Sequence, residues 1–127
     1  MKKILQVLTD TNIGGAGIYL LNYLAARDRD DFETAVVLPR GAALIPSVEK
    51  TGARVIEAEK IADRSYSKEG TNELCAIFRR EKPDLVHTHA SLSARIAAKK
   101  CKIPIVNTRH CLEEPKPFPK NLIYRAL

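Results

Sequence analysis

No stretch of the 127 residues stays apolar long enough to cross a bilayer. Nor does the start match a secretory leader: Lys2 and Lys3 precede an apolar run, but Gln6 interrupts it and Thr9-Asp10 ends it. Cysteine is scarce and odd in number. Cys75, Cys101 and Cys111 lack paired spacing, which argues against a disulfide framework and suits free thiols in a reducing, cytoplasmic setting. No internal repeat or low-complexity tract breaks the chain. Aromatic residues do not interleave with the basic cluster Arg79, Arg80, Lys82, so that cluster suits a solvated helix end better than a nucleic-acid site.

What remains is the composition of one compact domain, 45% hydrophobic and 28% charged. Lys and Arg number 21 against 15 Asp and Glu, a formal charge of +6, which favours anionic partners. Charge alone leaves nucleotide phosphates, anionic lipid and nucleic acid all open.

The chain is organised around Thr9 to Gly17, Thr-Asp-Thr-Asn-Ile-Gly-Gly-Ala-Gly. It follows the apolar run Ile4 to Leu8 and leads into Ile18, Leu21, Leu24 and Ala25 at helical spacing, so it reads as strand, glycine loop and helix. Glycines at a helix start leave N–H groups bare, where the helix dipole places about half a positive charge. An anion such as phosphate could dock there. A tight turn, with glycine needed only for close packing, is the rival explanation.

Further on, Glu33 to Leu38 is a β-branched run ended by Pro39-Arg40-Gly41, the expected second strand. Leu44 to Lys50 suits a short helix with Pro46 in its first turn and Gly52 past its end, and Arg54 to Glu57 a third strand. Ala58 to Gly70 has no period and is expected to be a loop running into the next helix. Leu74, Ile77 and Phe78 give that helix its apolar face, and Pro83 stops it. Asp84 to Thr88 is the fourth strand, Ser91 the N-cap of a fourth helix through Leu92, Ile96, Ala97 and Lys100, and Lys102 to Asn107 the fifth strand. Pro115, Pro117 and Pro119 exclude regular structure after it.

Such alternation predicts an α/β fold: a Rossmann-like open parallel sheet of order 3-2-1-4-5 with helices on both faces. Ligands of such sheets bind at the carboxyl ends of the strands, where the strand order reverses. The unusual polar residues gather there: Asn12 and the glycines after strand one, His87, His89 and Ser91 at strand four, Arg109 and His110 after strand five. Strand alternation sends His87 and His89 to one face, and His87 suits a satisfied, partly buried histidine. Arginine offers a fork for an oxyanion and neutral imidazole a partner for a sugar hydroxyl. A metal site is disfavoured, since His87-x-His89 and His110-Cys111 lack the separation of structural zinc ligands.

Ile13 to Asn22, Val37 to Gly41, Lys82 to His89 and Thr108-Arg109-His110 together resemble the amino-terminal domain of family 4 glycosyltransferases of the GT-B fold, in the right order along the whole chain. The resemblance implies retaining, metal-independent transfer of a sugar from a nucleotide-sugar donor to an acceptor, with no further cofactor. It implies that Gly14 and Gly15 approach the donor diphosphate and that His110 is the catalytic residue, touching or positioning the transferred sugar. Asn12, His89, Ser91 and Arg109 would line the acceptor side, and a cell-envelope glycolipid or polysaccharide is the expected acceptor.

The sequence also departs from the family pattern. Many relatives carry an acidic residue where this chain has Gly17. The nucleotide-holding second domain is absent, and Leu122, Ile123, Ala126 and Leu127 read as an unfinished helix, so the chain is expected to be an inactive amino-terminal fragment whose uncovered apolar surface self-associates. A non-catalytic Rossmann-like module for a nucleotide or anion is the alternative. Against a dinucleotide site, the third glycine of Gly-x-Gly-x-x-Gly is missing and Arg40 stands where a ribose-binding carboxylate is expected. Peripheral contact with an anionic membrane through Lys99, Lys100, Lys102, Lys116 and Lys120 stays open beside a merely solvated basic surface.

Overall fold

The structure, a computed structural model, describes residues 2–27 and 31–109. Nine elements alternate along it: β1 (Lys2–Val7), α1 (Gly15–Ala26), β2 (Phe32–Pro39), α2 (Ile45–Lys50), β3 (Arg54–Ala58), α3 (Lys68–Glu81), β4 (Leu85–His89), α4 (Leu92–Lys100) and β5 (Ile105–Thr108). The strands form one parallel sheet in the order β3-β2-β1-β4-β5, as the alternation of the sequence requires. Register is set at the centre, where Gln6 lies beside Val36 on one side and His87 on the other.

Helices cover both faces of this sheet. Leu5, Val7, Ala35, Val37 and Val86 pack with Leu74, Ile77 and Phe78 of α3 and Ala94, Ala97 and Ala98 of α4. Leu8, Val36 and Leu38 turn the other way, towards Leu20 and Leu24 of α1 and Val48 of α2. Because β2 is covered on both sides, six successive residues, Thr34 to Pro39, are buried. Each fully buried leucine or phenylalanine contributes about 1.5–3 kcal/mol.

Local signals end the helices. Ser67 caps α3 by accepting from the Gly70 amide, and Lys82 closes it in a left-handed conformation before Pro83. Ser91 caps α4 through the Ala94 amide at 3.1 Å. Most boundaries shift by a residue or two from the sequence expectation, and two of the differences have a clear local cause. The third helix begins at Lys68, near the end of the stretch read as a loop running into it, because Ser67 supplies the cap. β5 begins at Ile105, not Lys102, because residues 101–103 close α4: Lys102 is left-handed at φ 57° and the Ile103 amide bonds the Ala98 carbonyl. Among the described residues no helix is long and apolar enough to cross a membrane.

Candidate functional site

The carboxyl ends of β1, β4 and β5 lie side by side, and the connection from β1 to α1 is held from outside as well as by its own strand. Thr11 donates its amide (3.0 Å) and hydroxyl (2.6 Å) to the two carboxylate oxygens of Asp63, and the Asp63 amide returns a bond to the Thr9 carbonyl at 2.7 Å. The Thr11 carbonyl also accepts from Ala43, ahead of α2. These bonds fix the loop before it reaches the glycines. The Thr11 hydroxyl, and after it the Thr11 amide, hold the Asp63 carboxyl below its ordinary range.

Gly14 is the N-cap of α1, in extended backbone with no side-chain cap, and the first turn carries no acidic residue. The three glycines of the loop are not equivalent. A Cβ on Gly14 or Gly15 would meet nothing within 4 Å, so neither fold nor packing demands glycine there. On Gly17 it would lie 3.3 Å from Leu44 Cδ1, so this buried glycine serves the contact between α1 and the segment before α2. The close-packing explanation therefore holds for Gly17 alone. It also accounts for the missing family carboxylate, whose Cβ has no room unless Leu44 moves.

Beneath α1 runs a polar column that the sequence pattern did not reveal. His87 and His89 stack with ring centroids 4.5 Å apart, confirming that they share a face. His89 Nε2 is hydrogen-bonded to Gln6 Oε1 at 2.8 Å, and His87 Nε2 to Thr108 Oγ1 at 2.7 Å. Tyr19 and Tyr23 set their rings edge-on to His89 and His87. The column ties β1, β4 and β5 to α1 through polar groups of which Gln6 and His89 are buried and His87 and Thr108 partly so. Within it, Gln6 Nε2 is buried without a partner among the described residues.

Of the residues expected on the acceptor side, Asn12 and Arg109 are exposed at this edge. Ser91 is not: it is fully buried and its hydroxyl caps α4, so in this arrangement it positions the helix instead of facing a ligand. His89 is only 4% exposed and lies under Tyr19. Ala90, which follows it, adopts a left-handed conformation at φ 64°, and its carbonyl accepts from the Ser65 hydroxyl. The segment after β3 thus grips both sides of the reversal in strand order, Thr11 through Asp63 and Ala90 through Ser65. His110 lies outside the described residues. Among those described, no group of three or more histidine, cysteine or acidic side chains is placed to hold a metal ion.

The model of glycosyltransferase family 4 matches residues 13–127. The chain belongs to this family. None of the curated proteins compared with it matches significantly. Among solved structures, a glycosyltransferase from Rickettsia africae superposes with a TM-score of 0.74 at 18% identity, over 99% of this chain and 34% of its own. MurG of Acinetobacter baumannii gives 0.71 at 11% identity, over 98% of this chain and 39% of its own. Staphylococcus aureus MnaA, solved with UDP, gives 0.67 at 19% identity, over 98% and 36%. The family 4 chain thus has a GT-B type of α/β fold and spans little more than a third of the length of these structures.

Proposed function

We propose that this family 4 chain is the amino-terminal, acceptor-side part of a retaining glycosyltransferase, which moves a sugar from a nucleotide-sugar donor to a cell-envelope glycolipid or polysaccharide without a metal. The observation that carries this reading is the open space over Gly14 and Gly15, glycines that nothing in the fold requires, at the uncapped start of a 12-residue helix. Bare amides there suit the diphosphate of the donor, whose negative charge grows as the glycosidic bond breaks. The presence of UDP in the MnaA structure supports a nucleotide diphosphate as the anion.

In this reading His110 touches the transferred sugar, Asn12 and Arg109 meet the acceptor, and His89 works from below through Tyr19 and Gln6. The residues that hold the nucleotide belong to a second domain, so residues 1–127 alone bind donor weakly and do not transfer sugar. The deciding experiment reads the gene past the Leu127 codon and assays the polypeptide it encodes. Release of nucleoside diphosphate dependent on acceptor, lost on His110→Ala, supports the proposal. A stop codon directly after Leu127 overturns it in favour of a non-catalytic nucleotide- or anion-binding module.

A further inference from the structure

At the amino-terminal edge of the sheet, away from the glycine loop, α3 and α4 bring two of the three cysteines together. Cys75, in the middle of α3, is 5% exposed and packed in the core. Cys101 is the C-cap of α4, half-buried, and its thiol donates to the Cys75 carbonyl oxygen at 3.9 Å. Cys101 also forms part of the wall of an open cavity of about 440 Å³. Phe78, Pro83 and Ile103 supply apolar surface, and Arg79, Lys82, Lys100 and Lys102 supply four cations, none of them paired with a described carboxylate.

We propose that Cys101 and Cys75 form a peroxide-sensitive dithiol, with Cys101 the attacking thiol and Cys75 the resolving one. The Cys101 thiolate attacks one oxygen of a hydroperoxide, the O–O bond breaks, and the departing oxygen takes a proton and leaves as water or an alcohol. Cys101 is then a sulfenic acid. The Cys75 sulfur attacks it, the S–O bond breaks, and the hydroxyl leaves as water with the Cys75 proton. Two thiols are oxidised, one peroxide is reduced, and a disulfide links α3 to α4.

Three features assign these roles. Cys101 opens on a cavity and Cys75 does not, so an oxidant reaches Cys101 first. The four cations stabilise the negative charge that passes to the departing oxygen. Burial first, and then the neighbouring Cys101, push the Cys75 thiol up, so Cys75 stays protonated until the sulfenic acid forms beside it. Residues 101–103 form the turn that ends α4, and the disulfide requires this turn to shift until the two sulfurs meet.

The test uses the chain carrying Cys111→Ser, treated with hydrogen peroxide at neutral pH, then alkylated and mapped by mass. The expected product has lost two hydrogens and joins the α3 peptide to the peptide holding Cys101, a link reversed by dithiothreitol. Cys75→Ala then accumulates a sulfenic acid on Cys101 that dimedone traps, and Cys101→Ala leaves Cys75 unmodified. Arg79→Gln with Lys100→Gln slows the first step several-fold. Oxidation no faster than that of free cysteine, equal modification of Cys75 without Cys101, or oxidation of Cys101 with no link formed would each overturn the proposal.

Discussion

At the scale of single residues, the glycine loop separates structural glycine from functional glycine. With φ −127° at Gly14 and open space around both Cβ positions, Gly14→Ala and Gly15→Ala should leave the fold intact. In the helix, Gly15→Ala should add up to about 1 kcal/mol of stability, read as a higher midpoint in urea. The same substitutions put a methyl group where a phosphate would sit, so donor binding should fall tenfold or more by calorimetry on the longer polypeptide. Unchanged binding would remove the phosphate role. Ala90 behaves in the opposite way. Its left-handed backbone costs an alanine about 1–2 kcal/mol, part of which glycine recovers, so Ala90→Gly should stabilise the chain by about 0.5–1 kcal/mol. Residues of this kind were unevenly legible in the sequence. Ser91 was recognisable as a cap from its place before an alanine-rich helix. Gln6 looked like an interruption in an apolar strand, because its partner His89 lies 83 residues away and only the register of β1 against β4 joins them.

At the scale of elements, strand order followed from alternation, while the segment that secures the site did not. Residues 59–67 have no period, and their function is to bridge: Asp63 holds Thr11, Ser65 accepts from Leu92 and donates to Ala90, and Ser67 caps α3. Bonds between segments 25 to 52 positions apart leave no local signal. The Asp63 bridge makes the glycine loop sensitive to acid. The Asp63 carboxyl is depressed, so its bonds are complete above the ordinary carboxylate range and are lost as pH falls through its lower folded value. Amide exchange of Thr11, read by NMR, should accelerate in that acid window. Asp63→Ala should show fast exchange at every pH and weaken donor binding, whereas Asp63→Asn should keep most of the protection and lose its pH dependence. Slow exchange of the Thr11 amide in Asp63→Ala would mean that the bonds of Leu8 and Ala43 hold the loop without it.

For the whole molecule, the amino-terminal edge carries the charge and the strand edge carries the risk of association. Glu81, its side chain 10% exposed, accepts from Lys3 of β1 and Arg54 of β3 and pairs with Arg80, which ties the end of α3 to the central strand and to an edge strand of the sheet. Arg54 first, and then Lys3, lower its carboxyl to about 2. Its contribution is complete above the ordinary glutamate value and lost as pH falls towards 2; Glu81→Gln should remove about 1–2 kcal/mol at pH 7 and flatten the acid limb of the stability curve. Lys99, Lys100 and Lys102 lie at this same edge, remote from the glycine loop, so a membrane attracted by them would not press on the site; Lys116 and Lys120 lie outside the described residues. β5 poses a different problem. Among the described residues it is the last strand of the sheet, with β4 on one side only, and Val106 is 47% exposed on it. An edge strand with unpaired backbone and an exposed β-branched residue is a template for another chain. The chain should therefore associate with itself at high concentration, and Val106→Lys should return it to a monomer in sedimentation without lowering its free energy of unfolding by more than about 0.5 kcal/mol. A monomeric profile for the unaltered chain at the same concentration would show that the β5 edge is already protected.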